Sequence, residues 1–288
     1  MAQLALRPVA LHGMRESIAS TTIVRDTEQA CGEIINHIVS QGRGGNMKAK
    51  KPRARVEEQD KATEVGGRND PFQRLLGLMF KAHPWHGVCI GGEAPDVVTA
   101  YIEIVPTDTV KYEVDKGSGF LKVDRPQRFS NCCPVYYGLI PQTYSGDLVA
   151  GIFAKRTRRK GMVGDGDPLD ICVLSEKSIP HSDILLTALP IGGLSLADGG
   201  EVDDKIIAVM RDDAVYGDFT DIGQCPSSLL DRLRHYFLTY KSAPGATQHR
   251  VEITGVYGRE EALRVIRAGH ADYRALYPEL SSLWPKNL

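Results

Sequence analysis

The run Asp165-Gly166-Asp167-Pro168-Leu169-Asp170-Ile171-Cys172-Val173-Leu174 packs three carboxylates into six residues and passes straight into an apolar segment. Short apolar runs of this kind read as buried strands. Gly166 permits a tight backbone path, and Pro168 sets φ just before the strand. Three acids this close repel one another and raise each other's pKa unless cations lie between them. Hard divalent cations, Mg²⁺ above all, take oxygen ligands of this type. On this stretch alone two readings stay open. One is a solvated turn, since Asp, Gly and Pro are turn formers; the other is a metal site. An EF-hand loop is excluded. Glu176 does fall at its twelfth position, but the sixth needs Gly and holds Asp170, and a strand rather than a helix follows.

A second acidic cluster shifts the balance toward metal. Asp198, Glu201, Asp203 and Asp204 precede Lys205, and Ile206-Ile207-Ala208-Val209-Met210 reads as another buried strand. Strand-end loops are where sites are commonly built on a rigid scaffold. Two acidic loops from distant parts of a chain can converge on metal ions. Paired ions ~3.5–4 Å apart serve in-line displacement at phosphorus.

Cationic and phenolic residues supply the other half. Thr99–Val105 reads as a strand with Tyr101, Glu103 and Val105 on one face. Lys111-Tyr112-Glu113-Val114 and Phe120–Arg125 flank Asp115-Lys116-Gly117-Ser118-Gly119, which is hairpin-turn chemistry. Tyr136-Tyr137-Gly138 follows, and much later Tyr240-Lys241 ends a helix. Acidic loops for metal, with Lys, Arg and Tyr donors for oxyanions, fit a polyphosphate ligand.

From about residue 99 to residue 241 the chain resembles a soluble family I inorganic pyrophosphatase. The motifs that carry this are Ile102-Glu103-Ile104, Lys111-Tyr112-Glu113, Val123-Asp124-Arg125, Tyr137-Gly138, the Asp165–Asp170 signature, Asp198 with Asp203 and Lys205, and Tyr240-Lys241. They stand in the family's order at compatible spacings, as in a bacterial branch with a longer loop before the signature. The resemblance implies several Mg²⁺ ions per site, with Mn²⁺ or Zn²⁺ as substitutes. Asp165, Asp170, Asp198 and Asp203 would ligate them, Asp170 bridging two, and Glu103 would hold outer-sphere water. Asp167 would be the general base. Lys111, Arg125, Tyr137, Lys205, Tyr240 and Lys241 would grip pyrophosphate oxygens, with Glu113 orienting a lysine. The implied fold is β-rich α+β: a five-stranded, OB-like β-barrel with C-terminal helices packed outside. A weak phosphate- or nucleotide-binding relative, or a hydrolase of larger polyphosphates, is the alternative.

Three positions depart from the family pattern. Cys133 stands where a tyrosine is usual and Tyr136 where an asparagine is usual, so that one phenolic donor is either missing or supplied by Tyr136 or Tyr144. Gly199 stands where an acid is common, and Glu201 is the candidate to cover it.

Composition fits a globular protein. The 288 residues are 42% hydrophobic and 25% charged with a formal net charge of −1, which gives no general pull toward nucleic acid or membrane. No run of 18 apolar residues is present. The six cysteines form no C-x-x-C pair and read as reduced thiols in the cytoplasm; Arg7 and Arg15 in an acid-free first fifteen residues give organelle import as the alternative. Pyrophosphate and further copies of the chain are the expected partners.

Along the chain, residues 1–69 read as an extension, helically patterned and then a charged, disordered linker, ahead of a pyrophosphatase domain over 70–288. His83 and His86 flank Pro84 in a segment read as a structural lead-in with Trp85 packed on the barrel. Residues 147–164 form the insertion before the signature. Its basic run Lys155–Lys160 reads as an exposed mobile loop, or alternatively as a loop that draws in the anionic substrate. Pro226 opens a helix with Leu229, Leu230, Leu233, Phe237 and Tyr240 on one face. A strand over Glu252–Val256 and a helix over Glu260–Tyr277 complete the reading.

Overall fold

The two apolar runs beside the acidic loops form neighbouring strands, β6 (Asp170–Leu174) and β9 (Lys205–Met210), paired in parallel with Asp170 opposite Lys205. These strands belong to a computed structural model of the chain, which describes residues 81–241 and 251–281. The expectations for residues 1–69, for Phe72–Phe80 and for Cys31 lie outside the described residues. Both runs are apolar at nearly every position because both faces of the sheet are covered. Ile171, Val173, Ile206 and Ala208 pack with Val149 and Phe153 of helix α1 (Asp147–Thr157) and with Val265 and Ile266 of helix α3 (Arg259–Leu276). Cys172, Leu174, Ile207 and Val209 pack with Leu233, Phe237 and Tyr240 at helix α2 (Ser227–Thr239).

Five strands close a ring. Strand β1 (Val98–Ile104) pairs with β4 (Tyr136–Leu139), β4 with β6, β6 with β9, and β9 with the 15-residue β7 (Ile184–Asp198), which returns to β1. The five-stranded ring implied by the resemblance is therefore present. The length of β7 lets it pair with β1 at its start, with β9 through its middle and with β10 (Val251–Gly258) at its end. Strands β2 (Val110–Val114) and β3 (Leu121–Pro126) form a separate hairpin. Two short strands, β5 (Val163–Gly164) and β8 (Glu201–Val202), extend the sheet beyond β7, and a one-turn helix α4 (Pro278–Ser281) follows α3. No described helix is long and apolar enough to cross a membrane.

The insertion before the signature begins as a helix rather than a loop, and residues 158–160 follow its end. Its first eleven residues are α1, held by buried Val149, Ala150 and Phe153. Val149 and Phe153 are four residues apart and so share one helix face. The charged run that follows masks this spacing in the sequence. In the lead-in, Trp85 is buried, its indole N–H donates to the Thr143 carbonyl at 2.8 Å, and its ring lies beside Tyr273 and Tyr277 at the end of α3. His86 meets the Tyr273 hydroxyl at 2.9 Å, and burial pushes its pKa down to about 4.

Candidate active site

A cleft of about 260 Å³ opens where β6, β9, β1 and the β2–β3 hairpin approach one another. Glu103, Lys111, Glu113, Tyr137, Asp165, Asp167, Asp170, Asp198, Asp203, Lys205, Tyr240 and Lys241 all line it. Of the thirteen residues singled out from the sequence, only Arg125 is not in the lining. Lys111 and Arg125 are partners across the hairpin, and a register shift beside them leaves Asp124 as the extra residue. Asp124 accepts from Lys111 at 3.2 Å and from Arg125, and so yokes the two cations. The Arg125 guanidinium lies 6.0 Å from the centre of the Tyr240 ring, at the edge of the cleft.

Local backbone geometry aims each group. The register of β1 against β4 shifts between Ile102 and Ile104, so Glu103 is the inserted residue. Bulges of this kind re-aim a side chain beside a site. Glu103 is buried, and its carboxylate accepts the Val114 N–H at 2.7 Å. Gly138, next to Tyr137, allows no side chain: a β-carbon there would lie 1.8 Å from the Tyr101 carbonyl oxygen. The signature turn is pinned from outside. The Ser145 N–H donates to the Asp167 carbonyl at 2.8 Å, and the Leu169 N–H donates to the Thr143 hydroxyl at 2.9 Å. Gly166 takes φ +77°, the left-handed region that favours glycine.

The second acidic loop is a tight hairpin. Asp198 pairs with Glu201 across Gly199 and Gly200, both at positive φ. Two-residue hairpin loops with two positive φ values favour glycine. Gly199 at φ +60° fits such a turn, which accepts Asp at that position as well. Glu201 lines the cleft instead. The missing phenol is not replaced in the same way. Tyr136 is turned away, its hydroxyl donating to the Lys177 carbonyl at 2.5 Å, and neither Tyr136 nor Tyr144 lines the cleft. Cys133 is fully buried, and burial pushes its thiol up to about 12.

Charge dominates the cleft: eight carboxylates face four lysines. Lys205 is held by Asp170 and Asp203, with its side chain 2% exposed. Burial works against its charge, yet those two carboxylates hold its pKa well above the lysine range. Lys241 meets Asp198 at 2.5 Å. Burial, reinforced by Asp170, pushes Glu103 up to about 8 and, with Asp203 added, Asp165 up to about 7. Burial and Asp170 also raise Asp203, against the pull of Lys205. Carboxylates raised in this way are calling for cations. The donor set is all oxygen, which suits hard divalent ions. Among the described residues, no three His, Cys, Asp or Glu side chains are already gathered around a point as an ion requires. Ammonium groups hold Asp170, Asp198 and Asp203 instead.

Lys116 was hidden from sequence reasoning by its place in the hairpin turn. It lines the cleft, and its ammonium pairs with Asp167. Turn composition carries no signal for this, because only the fold brings the hairpin tip over the signature.

The inorganic pyrophosphatase family model matches residues 100–274. An inorganic pyrophosphatase of Chlamydia trachomatis is 52% identical over 200 residues, covering 68% of this chain and 96% of that protein. The one of Chlamydia muridarum is 53% identical over 199 residues, covering 68% and 95%. The crystal structure of inorganic pyrophosphatase from Thermus thermophilus superposes with a TM-score of 0.56 at 30% identity, covering 66% of this chain and 99% of that one.

Proposed function

The chain belongs to the inorganic pyrophosphatase family, and on that premise we propose that it hydrolyses pyrophosphate to two phosphates with the aid of Mg²⁺. The observation that carries the reading is the charge of the cleft, eight carboxylates against four lysines. Unaided, such a cleft repels a dense polyanion. It accepts one when divalent cations neutralise the acids.

Asp165, Asp170, Asp198 and Asp203 would hold the ions, with Glu103 at one remove and Glu201 in the place of the absent acid. When bound, the ions screen the phosphoryl oxygens and lower the pKa of a coordinated water toward neutrality. Asp167 takes a proton from the attacking water as its oxygen bonds to phosphorus. The bridging P–O bond breaks, and the departing phosphate leaves with the electron pair. Lys111, Lys205, Tyr137, Tyr240 and Lys241 donate to oxygens whose charge grows in the transition state. Arg125 joins them from the edge of the cleft, and Glu113 orients Lys111 at 3.6 Å.

The Lys116 ammonium pairs with Asp167. An incoming polyanion competes for that ammonium and frees the base. Rates of phosphate release from pyrophosphate, tripolyphosphate and ATP, compared at equal Mg²⁺, test the assignment. Preference for pyrophosphate supports it, and preference for a longer chain or a nucleotide refutes it.

A further inference from the structure

Asp204 lies between two residues of the cleft, Asp203 and Lys205, yet points away from it. Its side chain is 2% exposed, and Arg156 of α1 pairs with it at 2.6 Å. The same guanidinium donates twice to the Ser195 hydroxyl, at 2.8 and 3.2 Å, and reaches Glu261 of α3 at 3.4 Å. It lies 4.4 Å from the centre of the Tyr257 ring, which covers it. The other Asp204 oxygen accepts the Leu196 N–H at 3.2 Å, and the Asp203 N–H donates to the Leu196 carbonyl at 3.1 Å. Ser195 is fixed in turn by the Thr254 hydroxyl at 2.7 Å. One planar fork thus ties α1, β7, α3 and the loop after β8 into a single unit behind the cleft.

We propose that Arg156 and Asp204 are positioning residues that set the second acidic loop, Asp198 to Lys205, for metal binding. The inference rests on the metal-dependent reading above. It also assigns a task to the insertion before the signature, which bracing from behind explains better than attraction of substrate. The strut fixes both ends of the loop. Leu196 lies two residues before Asp198, and Asp204 lies one residue after Asp203. Loss of the fork lets these carboxylates drift apart while leaving every ligand in the chain. Groups that orient metal ligands without touching the ion change affinity roughly 10–100-fold when removed.

The test measures Mg²⁺ binding to metal-free protein by titration calorimetry, alongside thermal unfolding. Arg156→Lys keeps the charge but not the fork, and Asp204→Asn keeps the shape but not the charge. The double variant Arg156→Met with Asp204→Leu leaves no unpaired buried charge, so it remains informative where a single variant fails to fold. Lys155→Gln, on the same helix turn but exposed, serves as control. The expected result is Mg²⁺ affinity weakened roughly 10–100-fold in every folded variant of the pair, with the control unchanged. Because the effect falls on metal affinity, excess Mg²⁺ should restore most of the turnover. Wild-type Mg²⁺ affinity in a folded double variant overturns the inference and leaves the proposed function standing. Failure of the wild-type protein to bind Mg²⁺ removes both.

Discussion

Lys205 and Asp170 are register partners across the parallel β6–β9 ladder, and the buried Lys205 ammonium is shared between Asp170 and Asp203. A lysine so placed does two things. It stabilises two carboxylates that otherwise repel each other, and it presents a cation at the floor of the cleft. Lys205→Met leaves the pair of acids uncompensated. Breaking a buried pair by removing one partner destabilises by about 3–5 kcal/mol. The variant should lose that much in metal-free denaturant unfolding and recover part of it on addition of Mg²⁺. An unfolding midpoint indifferent to Mg²⁺ would show that the acids do not bind the ion.

Asp167→Asn removes the proton acceptor while keeping the turn, since the Asp167 N–H and carbonyl make their own bonds to Asp165 and Ser145. The fold and most Mg²⁺ binding should survive. Turnover should fall ~10²–10⁴-fold, the usual contribution of general-base catalysis. Lys116→Gln tests the ion pair. Its pair with Asp167 is exposed, with side chains 53% and 38% accessible, so stability should change little. The kinetic effect should fall chiefly on KM, because substrate displaces this contact. A purely kcat effect would assign Lys116 to the chemical step instead.

Ion binding should release protons. Glu103 at about 8 and Asp165 at about 7 are partly protonated near neutrality, mainly through burial. A cation favours the ionised forms, so Mg²⁺ affinity should rise with pH between about 6 and 8. Calorimetry in buffers of different ionisation enthalpy measures the protons directly. The metal-free protein should show the opposite trend. Both folded pKa values exceed the unfolded ones, so the stability these groups contribute is present at low pH. It is lost as pH rises from the unfolded carboxyl range near about 4, and the loss is complete once pH passes the folded values of about 7 to 8. Proton uptake on Mg²⁺ binding would contradict the assignment of these two carboxyls to the ion site.

Gly138→Ala should damage stability and the cleft together. The added methyl would meet the Tyr101 carbonyl oxygen at 1.8 Å, and backbone must move to make room. Overpacking of this kind destabilises by about 1–3 kcal/mol or more. Tyr137 is the next residue and lines the cleft, so KM for pyrophosphate should rise as well. A variant with wild-type unfolding and wild-type KM would place this contact outside the account.

Much of this site is legible in the sequence because its groups lie at strand ends. The acidic turn before Ile171 and the acids before Ile206 each announce a buried strand by a continuous apolar run. The α2 stripe ending at Tyr240 shows the helical period clearly. Closure of the ring is not legible from period, because it depends on β7 changing partners along its length. Helix α1 was concealed by its own charged last turn, where Arg156 faces inward to Asp204 and its neighbour Lys155 is exposed. Charge alone cannot distinguish an arginine that braces a buried acid from one that is solvated. Lys116 was concealed for the same reason, since the hairpin tip reaches Asp167 only through tertiary structure.

The central claim is metal-assisted attack of water on pyrophosphate, with Asp167 as base. A single time course tests it: phosphate released from pyrophosphate by metal-free protein, before and after Mg²⁺ is added, for wild type beside Asp167→Asn. The account predicts no release until Mg²⁺ arrives, then two phosphates per pyrophosphate for wild type and a rate ~10²–10⁴-fold lower for the variant. Release that proceeds at the same rate without any divalent cation, or a variant as fast as wild type, would contradict it.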